Sequence, residues 1–532
     1  MKNKNLQWCE NCNIPILQDI NYCPLCNKKL KTSLTDIRPV FPEERYLIEF
    51  ILKMDYNSLK DKSIWCNNNT YLINGCKYKI SNEMFKTINH IEYINYIKSK
   101  KVETGLFEIY INKFIQANKE YLKQLTDEAM AFINTESNSI DRNKIYVSFS
   151  GGKDSTVVAD LVLKTLGVIN CVFADTSLEH PLTFEYIKRF KKQKNINFFV
   201  AKNTDSKFYD VAEKIGPPAR LLRWCCFMFK TGPVNRLLNE KFGNAKLAFY
   251  GIRKRESISR SKYNRSENND EHTKIANQVV SSPIFEWAEC DIWLYILANK
   301  IDYNKAYNYG YKRVGCWCCP NCSDRSEFMA KITIPEQYEK WHNFLLKFAE
   351  NTNKANPTKY VEQGYWKARC GGNGLKSANL VKLKSDVCVT TENSKIFFLD
   401  KDINPAFISL FYPFGKILLQ KGLLQEYLVL DNKTLQPYIK ITIQELRKIK
   451  ITLLNVKNTS QLFRELSHQI IKFNACQSCL KCESLCPVKA ISIKENKYII
   501  DDNKCVRCKR CVSSKYLPGG CLMCRFLRTK KE

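Results

Sequence analysis

The run Tyr146–Leu163 reads YVSFSGGKDSTVVADLVL. Gly151 and Gly152 reach backbone angles closed to other residues and let main-chain amides approach a ligand. The spacing of Val157, Val158, Leu161 and Val162 predicts a helix whose free amides and positive end aim at the same point. Lys153, with Asp154 beside it, adds a mobile charge, and the hydroxyls of Ser148, Ser150, Ser155 and Thr156 add donors. An oxyanion is the natural occupant of such a turn. Taken alone, the glycine pair fits an ordinary βα turn equally well, so the rest of the chain must decide.

Three cysteine constellations supply a second chemistry. Cys9-x2-Cys12 and Cys23-x2-Cys26 have the spacing of a tetrahedral zinc ribbon, preferred here to a rubredoxin-like iron site; four protein sulfurs close the coordination sphere, so the role is structural. Arg223–Pro233, RWCCFMFKTGP, and Val314–Cys322, VGCWCCPNC, together offer Cys225, Cys226, Cys316 and Cys319 for one [4Fe–4S] cluster, with a second zinc site on Cys316, Cys319 and Cys322 as the alternative. The segment 476–487, CQSCLKCESLCP, is the bacterial ferredoxin run. Cys505, Cys508 and Cys511 follow, with a delayed fourth cysteine at Cys521 or Cys524. In two-cluster ferredoxins the fourth cysteine of each run serves the other cluster. That rule predicts Cys476, Cys479 and Cys482 with Cys521 (or Cys524), and Cys505, Cys508 and Cys511 with Cys486. A single cluster with a degenerate second half is the alternative.

These groups need elements to hold them. The chain has 532 residues, enough for about three or four domains. Strand-like runs at Ile145–Phe149, Ile169–Ala174, Ile196–Val200 and Leu247–Gly251 alternate with helical ones, which predicts an α/β fold: a doubly wound parallel sheet with ligands at the carboxyl ends of its strands. The expected division is a zinc ribbon at 1–33, a small α+β region at 34–105, the nucleotide-binding domain at 106–335, an α/β region at 336–470 and a ferredoxin domain at 471–532. Leu106–Asn134 reads as one long amphipathic pattern, and 336–470 shows one strand pair around YLVLDNKTLQPYIKITI. The formal charge of +31, from 84 Lys and Arg against 53 Asp and Glu, favours polyanionic partners, nucleic acid among them. No apolar run is long enough to span a bilayer, and clustered C-x-x-C pairs among 25 cysteines point to metal rather than disulfides; both predict a cytoplasmic protein.

In order along the chain, SFSGGKDST, VFADTSLEHPLTFEYI, RWCCFMFKTGPVNRLL, YGIRKRESISRS, SPIFEWAECDIWLYI and YNKAYNYGYKRVGCWCC resemble the phosphoadenosine phosphosulfate reductase family, especially its iron–sulfur adenylyl-sulfate reductase branch, over roughly residues 140–330. The resemblance implies a sheet of the PP-loop type. It implies that Ser148–Ser155 holds the phosphate or sulfate end of an adenylated ligand, that Asp175, Thr176 and Gly251 border the nucleotide, and that Arg253 and Arg260 face anionic oxygens beside Lys153 and Asp154. Lys230 falls where the family places a basic residue near its cluster. Glu179 and His180 match the segment after the second strand, although His180, before Pro181, reads as an unremarkable surface histidine.

Two departures stand out. The loop keeps the full S-G-G-K-D-S pattern of N-type ATP pyrophosphatases, which favours ATP, with its magnesium, as ligand. The Glu-Cys-Gly-like tail that carries the family's nucleophile is missing, and Cys370 in ARCGGNG is the nearest glycine-flanked candidate. Two activities follow as expectations: reduction of an adenylyl-sulfate substrate to sulfite with electrons from the ferredoxin tail, fed by an external donor, or ATP-dependent adenylation and thiolation of a nucleic acid. Oligomeric state is left open between a monomer and a homo-oligomer.

Overall fold

The computed structural model describes residues 6–34, 36–98, 100–243, 246–267, 278–420, 422–513 and 515–529. The described residues form two compact bodies, one of 6–201, 239–267 and 278–341, the other of 202–238 and 342–529.

The first body is built around a six-stranded sheet in the order Ile196–Lys202, Ile169–Asp175, Ile145–Phe149, Lys246–Phe249, Gln278–Ser281, Ser266–Glu267. Ile145–Phe149 runs parallel to both its neighbours, Lys246–Phe249 runs parallel to Gln278–Ser281, and Ser266–Glu267 closes the edge antiparallel. The expected α/β architecture with a mostly parallel sheet is what forms. Its cause lies in the strand composition: Ile145, Val147 and Phe149 enter one core with Val157, Val158, Leu161 and Val162 of the following helix, while Tyr146 is buried on the opposite side, its hydroxyl donating to Gln278 Oε1 at 2.6 Å. Chain order reverses around Ile145–Phe149, so its carboxyl end is the switch point where such sheets bind ligands.

The N-terminal part of this body adds two small antiparallel sheets. Leu6–Cys9 pairs with both Ile14–Ile16 and Lys31–Leu34; Arg38–Pro39, Ile64–Asn67, Thr70–Ile73 and Cys76–Lys79 form the other in that order. The amphipathic pattern after Leu106 is two helices, Phe107–Ala117 and Lys119–Ser137. Asn118 separates them, because its buried side chain accepts from Leu17 N at 2.7 Å and donates to Pro15 O at 3.1 Å, tying the break to the cysteine-bearing N-terminus.

In the second body the region read as one strand pair is a six-stranded antiparallel sheet, ordered Lys384–Val387, Ser394–Phe398, Lys448–Leu453, Pro437–Glu445, Gln425–Leu430, Lys416–Gln420. Ile439, Ile441, Ile449 and Ile451 are wholly buried at its centre, whereas every residue of Lys384–Val387 is exposed and carries no apolar alternation to read. Helix Thr459–Ala475 then leads to the cysteine-rich end and its hairpin, Ile491–Lys494 with Lys497–Ile500.

Candidate nucleotide site and cysteine groups

Strand Ile145–Phe149 delivers the chain to Ser150, and helix Lys153–Leu166 starts directly after Gly152. Gly151 has φ 70°, and a Cβ there would stand 2.9 Å from Thr183 Cγ2, so only glycine makes this turn without strain. Gly251 is needed for a different reason: a Cβ on it would come within 2.8 Å of the Asp154 carbonyl carbon and 2.9 Å of Ser155 N, where the end of strand Lys246–Phe249 passes the loop. Side chains fix the loop from within. Ser155 Oγ accepts from Ser150 N at 3.2 Å, lies 3.1 Å from Ser150 Oγ and donates to Gly152 O at 2.9 Å; Thr156 Oγ1 reaches Gly152 O and the Tyr186 hydroxyl at 3.1 and 2.8 Å. Ser148 stays half-buried in the strand beneath.

Lys153 is buried, with Nζ 3.3 Å from Asp154 Oδ2, 3.5 Å from Glu289 Oε1 and donating to Lys312 O at 3.4 Å. Burial pulls its ammonium down, and Asp154 and Glu289 more than reverse that. Arg253 Nε donates to Asp154 Oδ1 at 2.5 Å. Burial alone would raise the Asp154 carboxyl, but Lys153 and Arg253 hold it well below the usual range. Arg260 lies further out on a short turn, paired with Glu256, which also accepts from Arg313; its guanidinium is pulled down by burial and by Arg313.

The next strand brings a cysteine to the same end of the sheet. Thr176 Oγ1 donates to Glu179 Oε1 at 2.7 Å and sits 3.4 Å from Cys316 Sγ, Glu179 and Cys316 form an isolated β-bridge, and Trp317 N donates to Leu178 O at 3.0 Å. Asp175, half-exposed, accepts from Ser177 N. One loop therefore runs from Lys312, which receives the Lys153 ammonium on its carbonyl, to Cys316. Cys318, in the same loop, is buried, and Cys322 Sγ donates to the Cys316 and Trp317 carbonyls at 3.7 and 3.6 Å. Cys225, Cys226 and the exposed Lys230 belong to the second body, on the turn and π-helix that follow buried Trp224.

His180 is no surface residue. It is 2 % exposed, caps helix Pro181–Phe190 by accepting Leu182 N on Nδ1, and places Nε2 3.0 Å from Thr333 Oγ1. Cys66 is buried and Cys76 lies exposed on its hairpin. Tyr307, Glu289, Asp36 and Lys312 also line the charged site and were missed in the sequence. The Tyr307 hydroxyl accepts from Lys153 N at 3.1 Å, taking one of the loop amides. Asp36 accepts from Glu289 N and Cys290 N at 2.9 and 3.1 Å, and burial pushes its carboxyl up to about 6. Lys312, pulled down to about 8 by burial and then by Arg325, donates to Asn69 Oδ1. The one available signal was the acidic first turn AECD of helix Glu289–Ala298; Asp36, Asn69 and Lys312 arrive by tertiary folding alone.

At the N-terminus the Sγ atoms of Cys9, Cys12, Cys23 and Cys26 all lie within 4.8 Å of one another. Cys9–Cys26 and Cys12–Cys23 are 3.5 and 3.9 Å apart, which fits the ~3.8 Å edge of a tetrahedron with zinc–sulfur bonds of about 2.3 Å. The ferredoxin spacing divides the C-terminal thiols into two expected groups, Cys476, Cys479 and Cys482 with Cys521 or Cys524, and Cys505, Cys508 and Cys511 with Cys486; of these Cys476, Cys479, Cys482, Cys511 and Cys521 are buried and Cys508 is exposed. Burial raises the Cys479 thiol first, and Cys521, Cys482 and Cys476 raise it further; Cys505 is raised by burial with Cys486 and Cys508, and Cys511 by burial with Cys505 and Cys486. Cys370 is exposed, on a loop whose neighbour Arg369 donates to the Ile215, Pro217 and Gly371 carbonyls.

Within the second body the C-terminal module packs on the segment that carries Cys225 and Cys226. A Cβ on Gly232 would meet Leu480 Cβ at 2.7 Å, Lys481 Nζ lies 5.6 Å from the Phe227 ring centre, and Arg236 grips Glu483 through two 3.2 Å bonds while donating to Ile493 O at 2.9 Å.

Residues 144–322 match the phosphoadenosine phosphosulfate reductase domain. An uncharacterised protein of Methanocaldococcus jannaschii is 32% identical over 271 residues, 51% of this chain and 55% of that one, and a second from the same organism is 30% identical over 262 residues, 48% of this chain and 60% of that one; the chain thus spans little more than half the length of these relatives. The adenosine 5'-phosphosulfate reductase of Oceanobacillus iheyensis is 30% identical over 190 residues, covering 35% of this chain and 75% of the relative. A crystal structure of phosphoadenylyl-sulfate reductase from Candida auris covers 38% of this chain and 96% of that one at 19% identity and a TM-score of 0.30. On the match at residues 144–322 and the identity to the Oceanobacillus enzyme, the chain belongs to the phosphoadenosine phosphosulfate reductase family.

Proposed function

We propose that this protein is a cytoplasmic iron–sulfur enzyme of sulfur metabolism that binds an adenine nucleotide at Ser148–Thr156 and reduces an adenylyl-sulfate substrate to sulfite. One observation carries the reading: the loop 312–316 joins the phosphate-binding turn, through Lys153, to a cysteine set against Thr176 and Glu179 at the same end of the sheet. The loop amides, Lys153, Arg253 and Arg260 would hold the anionic end of the ligand, with Asp175, Thr176 and Gly251 beside the nucleoside. In the reaction the bond between sulfur and the bridging oxygen breaks, two electrons pass to sulfur, sulfite departs and the oxygen remains on AMP.

The donor sets fit iron–sulfur clusters and zinc. Cys476, Cys479, Cys482 and Cys521, and Cys486, Cys505, Cys508 and Cys511, would hold two [4Fe–4S] clusters. Cys225, Cys226, Cys316 and Cys319 would hold a third, a pairing that rests on the sequence resemblance. Cys9, Cys12, Cys23 and Cys26 would hold zinc. The clusters would supply one-electron steps, recharged by an external donor. The docking of the C-terminal module on the Cys225–Cys226 segment supports an internal electron route.

The intact loop supports a second reading. Lys153, Asp154 and Arg253 form one paired network of the kind an ATP pyrophosphatase needs. With ATP and magnesium, the same site would adenylate a nucleic acid for thiolation. Anaerobically reconstituted protein given ATP or adenylyl sulfate, and assayed for pyrophosphate and sulfite, separates the two. Sulfite from the sulfated nucleotide is the expected result; pyrophosphate from ATP without sulfite would replace reduction by sulfur transfer.

A further inference from the structure

Helix Thr459–Ala475 ends three residues beyond Lys472, and the amide of Cys476, which follows it, donates to the Lys472 carbonyl at 3.1 Å. The side chain of Lys472 points inward: the residue is 1% exposed, an unusual place for an ammonium group. Its Nζ donates to Gln469 Oε1 at 2.5 Å and to the Cys511 carbonyl, and lies 5.5 Å from the ring centre of buried Tyr498. Both hydrogen-bond partners are neutral. A buried cation satisfied only by neutral dipoles costs several kcal/mol unless an anion stands near it.

The groups around it say what that anion is. The carbonyl that Lys472 holds belongs to Cys511, of the second thiol group, and the helix that carries Lys472 runs directly into Cys476, of the first. A [4Fe–4S] cluster on four thiolates is a dianion when oxidised and gains a further negative charge on reduction. One buried cation between two such objects would offset their burial and favour their reduced states together, since protein charge is a main lever on cluster potential.

We propose that Lys472 is a shared positioning residue for the two C-terminal clusters, its ammonium serving as their common internal counter-charge and raising both reduction potentials. The inference rests on the ferredoxin reading of residues 476–521 and goes beyond it by assigning how the module is tuned. Electrons would then rest in the module until the nucleotide site draws them.

The test uses the full chain, reconstituted anaerobically, as wild type, Lys472→Gln, Lys472→Met and Lys472→Arg. Iron and acid-labile sulfide are counted, and reduction is followed by electron paramagnetic resonance during a redox titration. In the Gln and Met variants iron content is expected to stay at the wild-type level, while the reduction equilibrium of both clusters falls at least tenfold, about 59 mV for one electron. Lys472→Arg keeps the charge and stays close to wild type. Movement of one cluster alone, of neither, or equal movement in the Arg variant overturns the proposal, as does loss of iron from Lys472→Gln, which would give the lysine a purely structural role. Wild-type protein that takes up no iron at residues 476–521 would instead remove the ferredoxin reading itself.

Discussion

The glycine turn before helix Lys153–Leu166 and the C-terminal thiol module treat buried charge in opposite ways. At the turn, the Lys153 and Arg253 cations meet the Asp154 and Glu289 carboxylates, so the loop is electrically complete before any ligand arrives. In the module, buried Lys472 has an amide and the Cys511 carbonyl for partners, and its helix runs directly into Cys476. The first arrangement can release its ligand and keep its shape, because each charge falls back on a neighbour. On the proposed reading the second is finished only when its cluster anions are bound, and metal binding there would be part of folding. A self-paired site suits a substrate that comes and goes; an incomplete one suits a resident cofactor.

The largest effect should come from breaking the module. Cys482→Ala removes a buried thiol of the first group, and the expected outcome is loss of one whole cluster, about four irons per chain, with rapid proteolysis after residue 475. Full iron content in this variant would mean that Cys482 is no ligand. Lys153→Met is the matching cut at the turn. Nucleotide affinity, followed by equilibrium dialysis, should fall about 100-fold, since a hydrogen-bonded charge is lost while Asp154 and Glu289 remain. Iron content should not change, and loss of iron would erase the contrast between the two regions.

Acid should test the first body next. Burial holds the His180 imidazole at about 4 against an ordinary 6.5, so the folded chain refuses a proton that the unfolded chain accepts. Stability from this source is complete above pH 6.5 and drains away as pH falls toward 4; by pH 5 the loss is about 2 kcal/mol. The check is the urea midpoint of wild type against His180→Gln at pH 7.5 and at pH 5. Equal shifts in both proteins would show that the buried histidine contributes nothing.

Sequence reading captured what local rules govern. Ile145–Phe149 starts and ends where its β-branched run does, and the turn after it follows from two glycines and a helical period. The cysteine spacings were readable because ligand geometry is written in short intervals. What escaped came from distant segments: Asp36 capping helix Glu289–Ala298, Asn69 holding Lys312, and Tyr307 taking a loop amide. His180 was misread because the residue itself carries no mark of burial; Thr333, 153 positions later, supplies its partner. Of the six strands in the antiparallel sheet of the second body only the pair Gln425–Leu430 and Pro437–Glu445 was legible; the edge strand Lys384–Val387 is exposed throughout and offers no apolar alternation.

The smallest expected effect concerns how the module is held. Arg236 is about 29% exposed, yet it makes two bonds to Glu483, donates to the Ile493 carbonyl and lies 3.6 Å from Asp205, while Glu483 also accepts from Ile493 N at 3.0 Å. Partial exposure discounts the ion pair, but its fork geometry and the buried carbonyl partner set it apart from a simple surface pair. Arg236→Ala should weaken the packing of residues 480–493 on the Cys225–Cys226 segment by about 1 kcal/mol, seen as roughly fivefold faster amide exchange in Ile491–Lys494. Arg236→Lys should recover only part of this, because a single ammonium cannot bridge the carboxylate and the carbonyl together. Unchanged exchange in both variants would leave Leu480 against Gly232 as the contact that holds the module, and would make the thiol region's dependence on its own metal greater still.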